Sequence, residues 1–175
     1  MSPHTAVNLH DFIRDIPDFP KPGIVFKDIS PLLADGEAFS ASISQLACLI
    51  PQGTDAIVGI DARGFIFGAA LAAQLGIGFV PVRKPGKLPA EVHSIEYELE
   101  YGFDVLEIHR DALSKGHKIV IVDDLLATGG TARATVDLVR QLGAEVVSCL
   151  FVIELGFLGG SDLLKDVPIH SLVSY

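Results

Sequence analysis

The stretch Ile119-Val-Ile-Val-Asp-Asp-Leu-Leu-Ala-Thr-Gly-Gly-Thr131 decides the fold. Four successive β-branched residues are too uniformly apolar for a strand with one wet face, so both faces of Ile119–Val122 must be covered. The strand ends in two carboxylates, Asp123 and Asp124, and a loop of small residues then opens a helix over Thr131–Leu142. Val136, Val139 and Leu142 form one stripe of that helix, and Gly143 is its stop. A second unbroken apolar run, Val146–Ile153, follows. Upstream, Ala56–Ile60 and Phe79–Val82 bracket an Ala- and Leu-rich segment, Gly64–Leu75, closed by Gly76. Buried strands alternating with helices predict an α/β fold, a parallel sheet flanked by helices.

Two segments break this rhythm. Ile16–Leu33 contains Pro17, Pro20, Pro22 and Pro31, which predicts extended, turn-rich chain instead of a helix. Its apolar residues Ile24, Val25 and Phe26 need cover, so the segment is expected to pack over the sheet. A helix around Glu37–Leu49 leads on to the first strand. The second exception is Ser94–Tyr101, where Ile95, Tyr97, Leu99 and Tyr101 alternate with Glu96, Glu98 and Glu100. This period of two marks a strand with one polar face. A turn at Gly102–Asp104 returns it into Val105–Arg110, giving a two-stranded ribbon within residues 90–110. A ribbon of two strands is marginally stable alone, which makes it a candidate lid.

At 175 residues the chain fits one domain, taken as 1–175, with 49% hydrophobic and 20% charged residues. Its formal net charge of −9 disfavours nonspecific binding to nucleic acid or an anionic membrane. An anionic ligand must therefore be captured locally, by backbone amides and a few basic side chains. Cys48 and Cys149 lie in apolar stretches without C-x-x-C spacing and are expected to be buried free thiols. The six histidines form no H-E-x-x-H pairing, so no dedicated metal site is expected. No basic segment leads into an apolar one at the N-terminus, and no apolar run approaches the ~20 residues that span a bilayer. The expectation is a cytoplasmic protein.

The chemistry is concentrated after Val122. Gly129 and Gly130 let backbone amides approach a ligand, and the helix start adds unpaired N–H groups and a positive dipole end. With Ala127 lending little bulk and Thr128 and Thr131 lending hydroxyls, the loop suits a phosphate dianion without a lysine. Asp123 and Asp124 would repel that phosphate, so they face another part of the ligand; a ribose diol, donating hydrogen bonds, fits. The plainer alternative is a solvated strand end before a glycine-rich helix start. No Gly-Lys-Ser/Thr follows, which excludes a Walker A loop. Gly76-Ile-Gly78 lacks a third glycine and precedes a strand, which excludes the dinucleotide fingerprint.

An apolar strand, two acids and a Thr-Gly-Gly-Thr loop resemble the signature of the type I phosphoribosyltransferases. That resemblance implies their fold, with an N-terminal hood (residues 1–34) and a projecting flexible β-ribbon. It also implies that Ala127–Thr131 bind the 5′-phosphate of phosphoribosyl pyrophosphate (PRPP), while Asp123 and Asp124 hold its ribose hydroxyls. Pro20–Pro31 is similar to the hood of the adenine-specific branch, where Val25, Phe26 and Lys27 correspond to the base pocket and Phe26 would stack on the purine. The branch usually carries arginine at the position of Lys27. Leu155 matches the residue closing the other face of the base.

Gly59-Ile-Asp-Ala-Arg63-Gly-Phe-Ile-Phe-Gly68 resembles the branch's pyrophosphate loop, with Arg63 on the diphosphate. Arg83, Lys84 and Lys87 match a basic segment at a dimer interface, so the resemblance implies PRPP contacts and a homodimer in which Arg83 reaches the partner's site. Glu100 and Tyr101 match the catalytic loop, Glu100 managing the proton on the purine and Tyr101 covering the site. The implied reaction is adenine plus PRPP giving AMP and pyrophosphate, with Mg²⁺ carried mostly by the ligand's own oxygens and water. The alternatives are the same chemistry on another purine, a non-catalytic PRPP-sensing regulator, and a generic sugar-phosphate-binding domain.

Overall fold

The computed structural model describes residues 7–98 and 102–175. The chain forms two compact units that divide between Gln45 and Leu46.

In the first unit a short 3-10 turn, Leu9–Phe12, precedes an antiparallel hairpin of β1 (Arg14–Pro17) and β2 (Val25–Asp28). Two of the four opposed pairs on this ladder carry opposite charge. Arg14 donates to Asp28 at 2.6 Å, and Lys27 donates to Asp15 at 2.7 Å. The proline-rich segment is extended as expected up to Asp28, but Ser30–Ala34 then forms a short helix, α1. Pro31 does not prevent this because it stands in the first turn, where its missing N–H has no partner to lose. Ile24 and Val25 are 44% and 49% exposed. Helix α2 (Gly36–Cys48) starts where Asp35 accepts the Ala38 N–H at 2.8 Å, an N-cap. Within α2, Ile43 and Leu46 are buried while Cys48 is exposed, contrary to expectation. The apolar stretch is helical, so two residues beyond Leu46 the side chain has turned to the opposite face. Cys149 is buried as expected.

The second unit is built on a five-stranded parallel sheet in the order β4-β3-β7-β8-β9. Its strands are β3 (Ala56–Ile60), β4 (Gly78–Val82), β7 (Lys118–Leu126), β8 (Glu145–Glu154) and β9 (Ile169–Ser174). Helix α3 (Gly64–Leu75) connects β3 to β4, and helix α4 (Gly130–Gln141) connects β7 to β8. The glycine stops behave as read, Gly76 at φ 68° and Gly143 at φ 79°. Side chains alternate across the sheet. Val58, Ile60, Ile119 and Ile121 pack in one core with Val136, Leu138 and Val139 of α4. On the opposite face, Ile57 and the Phe79 ring meet α3, and both Gly59 and Gly68 are required by the ring, which would crowd an added Cβ to 2.5 and 2.9 Å. β9, too short and mixed to stand out in the sequence, completes the edge beside β8.

β7 runs four residues past the expected end at Val122, keeping its ladder with β8 as far as Leu126↔Glu154. The two acids are thus held on the strand itself. The chain leaves β3 for β4 in one direction and β7 for β8 in the other, so the connections part between β3 and β7. In open parallel sheets such a parting leaves a crevice at the carboxyl ends of the strands.

The ribbon is a separate sheet of β5 (Val92–Glu98) and β6 (Phe103–His109), in register from Val92↔His109 to Glu98↔Phe103. Its inner face is anchored: Leu106 and Ile108 are fully buried, and Ile95 and Tyr97 pack against the same core as α4.

Candidate active site

The crevice between β3 and β7 holds two adjoining cavities. The smaller, about 90 Å³, is walled by Ala127–Gly129, Thr131 and the end of β7. Gly129 sits at φ 84° and caps α4. A side chain there would collide with the carbonyl of Gly160, and one on Gly160 would collide with the carbonyl of Ala127. The loop is therefore shaped from behind, by the first residue of the 3-10 turn Gly160–Leu164. Gly130 has a different neighbour: an added Cβ would lie 3.3 Å from the Glu98 carbonyl and 3.5 Å from the Tyr97 ring. The expected close approach of backbone is present, and much of it is to the protein's own chain.

The larger cavity, about 290 Å³, is lined by Asp61–Arg63, Lys84, Tyr97 and Asp104 together with both acids of β7. Asp123, Leu125 and Thr131 line both cavities. Arg63, at the start of α3, forms an ion pair with Asp124, its Nε 2.9 Å from a carboxylate oxygen. Asp123 accepts the Asp124 N–H at 2.9 Å. Gly64 is obligatory here, because a Cβ would lie 2.8 Å from the Val122 carbonyl and 2.9 Å from the Asp123 carboxylate. Burial holds the Asp123 carboxyl well above the usual carboxylate range, and the negative charge of Asp124 adds to the effect. Burial also raises Asp124, outweighing the opposing pull of Arg63. Two buried acids side by side are a standing electrostatic cost, of the kind that concentrates at functional sites.

The basic run does not act as one cluster. Arg83 turns to Asp61 at 3.1 Å and stacks 5.6 Å from the Phe65 ring centre. Lys84 enters the larger cavity and pairs with Asp104. Lys87 is exposed, and its carbonyl accepts from Arg83 at 3.5 Å. Tyr97 and Asp104 were not singled out in the sequence, although the inward parity of Tyr97 along the ribbon was a usable signal.

The remaining expected residues lie elsewhere. In the first unit, Phe26 meets Phe19 edge-to-face with centroids 5.2 Å apart, beside a hollow of about 220 Å³ lined by Ile16, Phe19, Phe26 and Asp28. Val25 is exposed, and the Lys27 ammonium rests on Asp15. In the second unit, Leu155 is buried, its N–H donating to the Leu126 carbonyl at 2.9 Å. Glu100 and Tyr101 lie outside the described residues.

Two cavities meet over a pair of buried acids at the carboxyl ends of a parallel sheet, and the phosphoribosyl transferase domain model matches residues 26–162. The chain belongs to the phosphoribosyltransferase family. Its relatives include adenine phosphoribosyltransferases from Synechococcus sp., 59% identical over 97% of this chain and 99% of that protein, and from Rippkaea orientalis, 58% identical over 97% and 100%. Among solved structures, adenine phosphoribosyltransferase from Thermoanaerobacter pseudethanolicus superposes with a TM-score of 0.93 at 56% identity, covering 96% of this chain and 100% of that one. The Saccharomyces cerevisiae enzyme, solved with an imino-altritol bisphosphate and adenine, gives 0.89 at 43% identity, covering 94% and 96%.

Proposed function

We propose that the chain transfers the phosphoribosyl group of PRPP to N9 of adenine, giving AMP and pyrophosphate. The observation that supports this reading is the pair of cavities meeting over Asp123, which the reading assigns to a 5′-phosphate and a diphosphate flanking one ribose. Relatives named for this activity match along nearly their whole length.

In this reading Ala127–Thr131 hold the 5′-phosphate, Asp123 and Asp124 accept from the ribose hydroxyls, and Arg63 and Lys84 face the diphosphate. Arg63 is fixed by Asp124, so one ion pair links ribose binding to leaving-group binding. The C1′–O bond breaks with its electron pair leaving on pyrophosphate, and the N9–C1′ bond forms on the opposite side. The N9 proton passes to Glu100, whose side chain acts as general base. Mg²⁺ would enter with PRPP, held mostly by the ligand's own oxygens and water beside the oxygen-rich wall of Asp123 and Asp124, and would offset diphosphate charge. Val25, Phe26, Lys27 and Leu155 serve the base, and Tyr101 covers it. The Lys27 ammonium already rests on Asp15, which favours recognition through the backbone at this position. Residues 1–34 act as the hood of a single catalytic domain, and Lys87 adds surface charge near the diphosphate end. The working form is a cytoplasmic homodimer, with Arg83 facing the neighbouring site.

The test offers PRPP and Mg²⁺ with adenine, hypoxanthine, guanine or xanthine separately. AMP from adenine alone is the expected result, and turnover of an oxopurine instead refutes the base assignment. Glu100→Ala should lower kcat with little change in PRPP affinity; an unchanged kcat removes Glu100 from the mechanism. Light scattering at micromolar protein should give twice the 18.6 kDa chain mass.

A further inference from the structure

Each cation facing the larger cavity has a carboxylate partner, but the two pairs differ in kind. Asp124 is buried on a central strand behind Arg63, with side-chain exposures of 7% and 40%. Asp104 lies on the ribbon, and it and Lys84 are 28% and 43% exposed, so this pair can separate without opening the core. One oxygen of Asp104 accepts the Val105 N–H at 2.8 Å. The other accepts from Lys84 and from the Tyr97 hydroxyl at 3.2 Å. Tyr97, directly opposite Asp104 on the ladder, also meets the Thr131 hydroxyl at 3.2 Å. With the tyrosine proton donated to Asp104, the Thr131 proton is turned onto the tyrosine oxygen. A single chain, Lys84–Asp104–Tyr97–Thr131, thus links one cavity to the other at the turn end of the ribbon, one pair short of Glu98↔Phe103. The pairing with Asp104 raises the Lys84 ammonium against the effect of burial and lowers Asp104.

We propose that Asp104 is an internal competitor of the diphosphate: it occupies Lys84 when no anion is bound and yields it to the entering ligand, so that it sets the affinity for PRPP and pyrophosphate through Lys84. The inference rests on reading this cavity as the diphosphate end of the PRPP site. Its logic is charge. A carboxylate beside a lysine that must take an anion weakens that anion twice, by holding the cation and by repelling the ligand. Weak binding serves turnover, because pyrophosphate must also leave.

The experiment is calorimetric titration of magnesium pyrophosphate into the full-length parent, Asp104→Asn, Lys84→Met and the double variant. Asp104→Asn is expected to tighten pyrophosphate by roughly three- to fivefold, the upper scale of a partly exposed charge pair. Its KM for PRPP should fall in step, with kcat level or lower as product release slows. Lys84→Met should bind more weakly, and in that background Asp104→Asn should give a clearly smaller gain than in the parent, since only the direct repulsion of the ligand is left to relieve. Asp104→Ser, read the same way, covers poor folding of the amide variant. Equal or weaker binding in Asp104→Asn overturns the proposal, as does an equal gain with and without Lys84. A parent that binds no pyrophosphate fails at an earlier point, because it removes the reading of the cavity itself.

Discussion

Two aspartates in this chain are displaced in opposite directions, each for a local reason. Asp28, bonded to Ser30 and Arg14 on an open hairpin, is lowered to about 2. Its contribution to stability is present above the unfolded-state value near 4 and fades as pH falls toward 2. Asp123 is raised by burial and by Asp124, so its sign is reversed: the folded state holds its proton more tightly than the unfolded chain. Stability linked to Asp123 is fullest below about pH 4 and is lost as pH rises through the folded-state value. Asp123→Asn keeps an oxygen for the Asp124 N–H and removes the charge. The variant should melt higher than the parent at pH 7.5, a gain of about 1 kcal/mol raising Tm by roughly 2–4 °C in a chain of this size. The difference should shrink toward pH 4, and a melting series across that range checks it. A lower Tm at pH 7.5 would show that Asp123 is a structural acid instead of one held for a ligand.

Elements divide into those whose placement local sequence dictates and those that distant contacts create. The unbroken apolar runs of β3, β7 and β8 could be read directly, since a strand covered on both faces needs no polar residue. The same rule placed the end of β7 too early, because Asp123 and Asp124 look like a strand end while their backbones stay bonded to β8. The ribbon was visible from its alternation, yet the bonds of Tyr97 and Asp104 join residues that only the folded chain brings together. Its two faces make a direct comparison. Leu106→Ala removes a fully buried side chain and should cost about 2–5 kcal/mol in urea unfolding, whereas Glu96→Ala, on the exposed face, should stay within about 0.5 kcal/mol. Similar costs at both positions would mean that the ribbon does not fold as part of the core. The phosphate loop gives a sharper case. Gly160→Ala lies outside the loop but collides with its Ala127 carbonyl, so it should raise KM for PRPP severalfold more than KM for adenine. Equal effects on both would point to general destabilisation.

At the scale of the whole molecule, a chain with net charge −9 recruits a polyanion, so attraction must come from a few fixed groups. In the proposed reading Arg63 and Lys84 supply it, within a wall that also carries four aspartates, Asp61, Asp104, Asp123 and Asp124. Binding therefore depends on these two cations, and on the magnesium carried with the ligand, to offset the repulsion of the carboxylates. With magnesium PRPP at about a hundred times its Kd, linkage adds about 2.7 kcal/mol, and Tm should rise by roughly 5–10 °C. Asp123→Asn should lose most of that rise while starting from a higher baseline. A full ligand shift in the variant would contradict the ribose role of Asp123.

The facing glycines at 129 and 160 carry a consequence for heredity. The space denied to a side chain at 129 is filled by the backbone of 160, and the reverse holds through Ala127. Main-chain atoms cannot be trimmed by a compensating substitution. Neither codon can drift and be rescued at the other, so a library randomised jointly at 129 and 160 and selected for activity should return glycine at both.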